Sequence, residues 1–393
     1  MHLPLRRAAL PAATLVLLAG LSGPAQAVET PQAIGGAALA TPDIAVSPGT
    51  PPLPKDLTAA GWMVADLDTG DVLAAHAAHT RFAPASTLKT LTALTLIPRL
   101  PPKRLVSPTF QDIAVDGSKV GLVEGIRYPV SELFTSLMVV SGNDAANTLA
   151  SAAGGTPTAV EAMNAEATRL QALDTHAVNP SGLDAPDQTS SPYDLGLIAR
   201  AGMELPDFRA YAATKHATMT APKGKRFEIG SHDKLLYNYP GAIGIKNGYT
   251  VKARASFVGA ATRDGHTVLV TLMRADPRVW AEAAALLDWG FAATATGAAP
   301  VGQLVPPLPL APAPVSVAAS PAPAAPMAAT TSTRPAGQRT WTLPRIAGLG
   351  FAALLAAGVA ARLARGRRTR ARHAAGRPRP SIQRSWNSGP DRT

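Results

Sequence analysis

The feature that most constrains this chain is where its apolar periodicity stops. From Trp62 to about Phe291, hydrophobic residues recur at helix or strand spacing with turn signals between them; after Thr294, proline and alanine dominate as far as Pro335. A segment of that composition cannot bury a core, and extended at about 3.1 Å per residue it would reach on the order of 130 Å. Residues 28–55, rich in Pro, Ala and Gly, read as an extended lead-in. One folded domain over 56–294 is expected, followed by a linker over 295–340.

Both ends carry their own signals. Arg6 and Arg7, the apolar stretch Ala8 to Gly20 and the small residues Ala25-Gln26-Ala27 read as a cleavable export signal over 1–27. Its apolar run is shorter than the roughly 20 residues needed to cross a bilayer. Ile346 to Ala361 carries no charge, Trp341 to Leu343 extend the run, and arginines follow from Arg362 onward. Positive residues just past an apolar segment mark the cytoplasmic side. The expectation is a C-terminal transmembrane helix over 341–361, a basic cytoplasmic tail over 362–393, and a domain anchored on the outer face of the cell membrane. The chain has no cysteine, so an exported life is managed without disulfides.

The net charge of +11 suggests a polyanion binder until its distribution is read. Ten arginines against one aspartate lie in Arg362–Thr393, Arg6 and Arg7 account for the rest, and the stretch between is neutral. A nucleic-acid binder needs its basic surplus on the folded domain, so no nucleic-acid partner is expected.

Within the domain, Met63-Val64-Ala65 and Val72-Leu73-Ala74 flank Asp68-Thr69-Gly70-Asp71, a hairpin pattern. The spacing of Leu88, Leu91 and Leu94 predicts a helix from about Ser86 to Ile97, stopped by Pro98 and Pro101. Leu133, Phe134, Leu137 and Met138 mark a second helix, and Asp144 to Ala153 a third. Strands are expected over Ala242–Lys246, Ala255–Thr262 and His266–Met273, the last two joined by a turn at Arg263-Asp264-Gly265, with a closing helix over Trp280–Trp289. Strands at both ends and helices between predict an α/β (α+β) fold, an antiparallel sheet flanked by helices plus a helical subdomain.

Three short patterns carry the chemistry, and each occurs twice. Ser-x-x-Lys stands at Ser86/Lys89 and Ser231/Lys234, Ser-x-Asn at Ser141/Asn143 and Ser385/Asn387, and Lys-x-Gly at Lys119/Gly121 and Lys246/Gly248. Ser385 lies past the expected span, and Lys119 precedes Ser141. Only Ser86/Lys89, then Ser141/Asn143, then Lys246/Gly248 can be read in order. A serine hydroxyl becomes a nucleophile when a nearby base takes its proton. Lys89, one helical turn on, serves as that base only if neutral, against an unperturbed pKa of about 10.4. Burial and repulsion from a second cation, Lys246, both push it down. Ser141 is suited to passing a proton to the departing amine, Asn143 to holding the substrate amide, and Lys246 to attracting a carboxylate. Gly248 lets a ligand backbone come close.

The passages Pro84–Leu94, Ser141–Ala145 and Gly241–Thr250 resemble low-molecular-mass D-alanyl-D-alanine carboxypeptidases, which are penicillin-binding proteins of β-lactamase/transpeptidase-like fold; Asn179–Asp184 is similar to a further loop of that family. The resemblance covers about 60–290. It implies a peptidoglycan stem peptide as substrate, β-lactams as covalent inhibitors of Ser86, and an oxyanion hole from the backbone N–H groups of Ser86 and Tyr249. It also implies a carboxylate contact from Arg278, with Arg274 as its rival. The mechanism needs no metal or other cofactor, and the eight histidines show no ligand-like spacing. The family usually has threonine where this chain has Asn247, whose amide N–H can also donate. The rival readings are a β-lactamase, for which the glutamate used as deacylating base is lacking between Glu166 and Glu204, and a non-catalytic scaffold that binds wall peptide.

Overall fold

The computed structural model describes residues 33–309. Its largest sheet is antiparallel, ordered Ile44–Val46, Asp71–His76, Gly61–Asp66, His266–Ala275, Arg254–Arg263, Ala242–Thr250, with Gly302–Gln303 also pairing Asp71–His76. Every residue of Gly61–Asp66 is buried because both faces of the sheet are covered. Side chains alternate across it. Trp62, Val64, Val268, Val270 and Phe257 pack under the helix Val279–Thr294, while Met63, Ala65, Leu269 and Val258 join the helical side.

The two expected hairpins form for the expected reasons. Asp66 Oδ1 accepts from the Asp68 and Thr69 N–H groups at 2.9 and 3.0 Å, and Gly70 turns the chain at φ 87°. Asp264 and Gly265 both have positive φ, 51° and 80°, as a two-residue turn of the primed kind demands.

On the helical side, the helix Lys89–Leu96 is buried along its whole length. Its threonines stay satisfied inside the core: Thr90 Oγ1 donates to Thr87 O at 2.7 Å and Thr92 Oγ1 to Pro180 O at 2.8 Å. Around it stand Val130–Val139, Asn143–Ala152, Thr156–Arg169 and Pro192–Glu204. The last two were not foreseen, although Ser191 caps Pro192–Glu204 by accepting from Asp194 N–H, a start signal visible in the sequence.

Three local expectations change. The helix proper begins at Lys89, and Ser86 sits in a tighter 3-10 turn, Ala85–Leu88. The strand carrying Lys246 runs on to Thr250, so that lysine is mid-strand. The sheet also recruits Ile44–Val46 from the lead-in and Gly302–Gln303 from the stretch read as linker. These two short strands pair mainly through backbone and leave no periodicity to read. The export signal (1–27), the membrane helix (341–361) and the basic tail (362–393) lie outside the described residues; among the described residues no helix is long and apolar enough to cross a membrane.

Candidate active site

The nucleophile turn is clamped from two sides. Ala85, fully buried, holds a left-handed φ of 49°, a conformation that side chains adopt only where the surroundings impose it. On one side lies Gly248, where an added Cβ would stand 2.7 Å from both Ser86 N and Ser256 Oγ. Ser256 Oγ donates to Pro84 O at 2.7 Å and ties the neighbouring strand to the same turn. On the other side, Gly182 (φ 81°) packs so closely on Ala85 O that any Cβ would overlap it. Gly248 is thus fixed by the approach of the protein's own backbone, beyond any allowance for a ligand.

In a 3-10 turn residues i and i+3 eclipse, which brings Lys89 onto the face of Ser86. Lys89 Nζ lies 3.0 Å from Ser86 Oγ, 2.7 Å from Asn143 Oδ1 and 2.5 Å from Ser181 O. The last two atoms only accept, and Asn143 Nδ2, which donates to Asp116 O at 2.7 Å, fixes which way its amide faces. A neutral amine has two N–H groups and one lone pair. With both N–H groups given to Asn143 and Ser181, the lone pair faces the Ser86 hydroxyl. Burial, then the charge of Lys246, hold the Lys89 pKa well below the usual lysine range against the opposing pull of Asp144.

Ser141 follows the end of Val130–Val139 at φ 59°, and its buried Oγ has no hydrogen-bond partner among the described residues. Asp144 holds the loop over it, accepting from the N–H groups of Val120, Gly121 and Leu122 at 3.0, 2.8 and 3.0 Å. Lys246 is fully buried, donates to Asn247 O at 2.8 Å, and has its pKa pushed down to about 7 by burial, with Asp233 opposing. Asp233 is itself buried and raised to about 6, chiefly by burial.

The fold brings Ser86, Lys89 and Asn143 into direct contact, packs Gly248 onto the Ser86 turn, and couples Lys246 to Lys89 through its charge. Asn247 is half-buried and Tyr249 is 61% exposed at the end of the same strand. Asn143 orients the base through its Oδ1, and with one Nδ2 hydrogen given to Asp116 O its second Nδ2 hydrogen is left for the expected role of holding the substrate amide. Ser181, Asp144 and Asp233 were missed. The resemblance of Asn179–Asp184 pointed to the first, whereas Asp144 was read only as the start of a helix and Asp233 sits inside the discarded Ser231/Lys234 pattern. Of the two candidate arginines, Arg274 shares a depression with Phe82 and Ala83, which lead into the nucleophile turn, while Arg278 lines a separate one with Lys55 and Thr58. Glu166 pairs with Arg169 on its own helix at 2.7 Å.

Two histidine–carboxylate groups also form. His79 lies 2.9 Å from Asp174 and 3.0 Å from Ile34 O, and His266 3.1 and 3.3 Å from Asp66 and Asp68. In each, both ring nitrogens face protein oxygens at hydrogen-bond or ion-pair distance, which accounts for the grouping without an ion.

A serine hydroxyl with a buried amine at hydrogen-bond distance, and a second buried lysine on the edge strand that packs against its turn, defines a serine acyl-transfer site. A family model described as D-alanyl-D-alanine carboxypeptidase matches residues 46–277. D-alanyl-D-alanine carboxypeptidase DacB2 of Mycobacterium tuberculosis is 43% identical over 251 residues, 62% of this chain and 86% of that one. The crystal structure of a D-alanyl-D-alanine carboxypeptidase from M. tuberculosis H37Rv matches with TM-score 0.63 at 41% identity, covering 66% of this chain and 99% of that chain. The Streptomyces K15 DD-transpeptidase matches with TM-score 0.58 at 30% identity, covering 62% of this chain and 100% of that chain. The chain belongs to the serine-type D-alanyl-D-alanine carboxypeptidase family, peptidase S11.

Proposed function

We propose that Ser86 attacks the carbonyl between the two D-alanines of a peptidoglycan stem peptide while Lys89 takes its proton. The observation that carries this reading is the 3.0 Å approach to the Ser86 hydroxyl of a fully buried amine whose pKa is held well below the usual lysine range by burial and by Lys246. The terminal carboxylate of the peptide is drawn to Lys246, with the Asn247 amide beside it. The tetrahedral oxyanion is met by the backbone N–H groups of Ser86 and Tyr249, each such donor being worth roughly 3 kcal/mol. Ser141, whose hydroxyl lacks a partner among the described residues, passes the proton to the departing amine, and D-alanine leaves. Water then enters; its proton goes to Lys89, its oxygen to the acyl carbon, and Ser86 is regenerated. β-Lactams acylate the same oxygen by opening their ring amide.

The absence of a glutamate between Glu166 and Glu204, where a class A deacylating base would be expected, weighs against fast β-lactam turnover. Export and anchoring by a C-terminal helix rest on the apolar runs and arginine clusters of the sequence, and place the site outside the cell membrane.

The test is incubation with a labelled penicillin, followed by mapping of the modified peptide and assay of D-alanine release. Label on Ser86, with release that stops in Ser86→Ala, is expected. A scaffold would bind the peptide and release nothing.

A further inference from the structure

The two sides of the nucleophile clamp are themselves joined, away from the reacting atoms. Thr250, two residues beyond Gly248, donates from Oγ1 to Asp184 Oδ1 at 3.0 Å, and Asp184 stands two residues beyond Gly182. Among the described residues this is the one hydrogen bond between the loop 179–184 and the strand Ala242–Thr250.

Both ends of this strut are fixed. Asn179 Oδ1 accepts from Ser181 N–H, Ser181 Oγ and Gly182 N–H at 3.1, 2.9 and 2.8 Å, and Leu183 O accepts from Asn179 Nδ2 and Gln188 Nε2 at 2.8 and 2.6 Å. The same loop is tied to the catalytic helix, where Pro180 O accepts from Thr92 Oγ1 and Ser181 O meets Lys89 Nζ. On the other side, Thr250 Oγ1 accepts from Ala253 N–H at 2.9 Å and closes the turn that follows the strand.

The strand needs such a brace. It is the edge of the sheet, paired on one side with Arg254–Arg263, and Tyr249 and Thr250 are its last two residues. Strand ends open at low cost unless something else holds them. The close packing of Gly248 on Ser86 N limits how near the strand comes to the turn, but it is a repulsive contact and does not stop the strand moving away. The hydrogen bond to Asp184 is attractive and limits the separation. A donor that meets a developing oxyanion must be in place before the charge appears. The two donors of the proposed hole sit on different elements, Ser86 N on the turn and Tyr249 N at the strand end.

Resting on the carboxypeptidase reading, we infer that Asp184 is a positioning residue: by accepting from Thr250 it holds the end of the edge strand against the nucleophile turn and fixes the spacing of the Ser86 and Tyr249 N–H groups. Asp184 touches no reacting atom. Its part is to accept a hydrogen bond, and its charge is not required.

The experiment follows acylation of the full chain by benzylpenicillin, separating the noncovalent dissociation constant from the acylation rate at saturation. Asp184→Ala is expected to lower the rate about tenfold, short of the roughly 10²-fold cost of a 1 Å misplacement, and to leave the dissociation constant within about twofold. Asp184→Asn keeps the accepting oxygen and Thr250→Ser the donor, so both should retain the rate to within about threefold. Thr250→Val loses the strut and the turn bond together. Asp184→Ala added to it should cost nothing further, as expected of partners in one interaction. A thermal melt gives the folded fraction of each variant. An Asp184→Ala protein that acylates at the parent rate, a loss confined to the dissociation constant, or an Asp184→Asn protein as slow as Asp184→Ala overturns the proposal. If the parent chain takes no label on Ser86 and releases no D-alanine, the carboxypeptidase reading falls and takes the proposal with it.

Discussion

Lys89 Nζ and Ser86 Oγ stand 3.0 Å apart, and the other two contacts of the amine are to oxygens that can only accept. A protonated lysine would satisfy the same three neighbours with three N–H groups. The two states differ in who donates across the Ser86 contact, and burial, then the charge of Lys246, shift the balance toward the neutral one. Ser86 lies in the 3-10 turn that precedes the α-helix Lys89–Leu96.

Replacing Lys89 with methionine keeps the volume and removes the base. Acylation of Ser86 by a penicillin should fall by roughly 10²–10⁴, the usual contribution of a positioned base. The substitution also leaves Asn143 Oδ1 and Ser181 O without their donor, at about 1–3 kcal/mol each. Mass mapping of the adduct over time, read beside a thermal melt, separates the two effects. A folded Lys89→Met protein acylating at the parent rate contradicts the mechanism.

The pH dependence follows from Lys246. Its pKa is lowered to about 7, so the free enzyme loses this cation as pH rises through that value. Attraction of the terminal carboxylate goes with it, and kcat/KM should decline on the alkaline side from about 7. Bound carboxylate favours the protonated amine, so kcat should hold to higher pH than kcat/KM. Asp233 opposes the depression of Lys246. Asp233→Asn removes that negative charge, lowers the Lys246 pKa further, and should move the alkaline limb to lower pH. A limb that stays in place would show that Asp233 does not tune this lysine.

Gly248→Ala tests the clamp. A Cβ there would meet Ser86 N and Ser256 Oγ at 2.7 Å, and at least one of these must give way. Since Ser86 N is also a proposed oxyanion donor, a small displacement affects both nucleophile and hole, and about 10²-fold in acylation rate is expected. Ser256→Ala in the same background relieves only one of the two clashes and should restore little. Full activity in Gly248→Ala would mean that the turn is free to shift.

Much of this was legible in the sequence, and the reasons are local. Ser86/Lys89 could be read because i and i+3 meet in either kind of helical turn, so mistaking the 3-10 turn for α left the contact intact. Lys246 was legible as a strand residue but not as a buried one; that depends on the Ser86 turn packing across its strand. Ser181 and Asp144 act through a carbonyl oxygen and through distant backbone N–H groups, and neither use leaves a residue-type pattern. The helix Thr156–Arg169 carries mostly alanine as its apolar residues, with Ala159, Met163 and Ala167 buried, so its period was easily missed.

Asn247 is where this chain departs from the family's usual threonine, and its geometry bounds the consequence. Its Oδ1 lies 3.4 Å from Lys246 Nζ, so the amide nitrogen, on the opposite branch, is available as a donor to a carboxylate held by that lysine. A threonine hydroxyl would donate one hydrogen from a shorter arm. The exchange alters reach and angle while conserving one donor, so only part of the roughly 1.5–3 kcal/mol contributed by a hydrogen bond to a charged group is at stake. Asn247→Thr should therefore change KM by no more than about tenfold and leave kcat nearly unmoved. Asn247→Ala, which removes the donor, should raise KM further at similar kcat. Steady-state assays of D-alanine release on one peptide measure both. An inert parent made active by threonine would contradict the view that the amide donor substitutes for the hydroxyl.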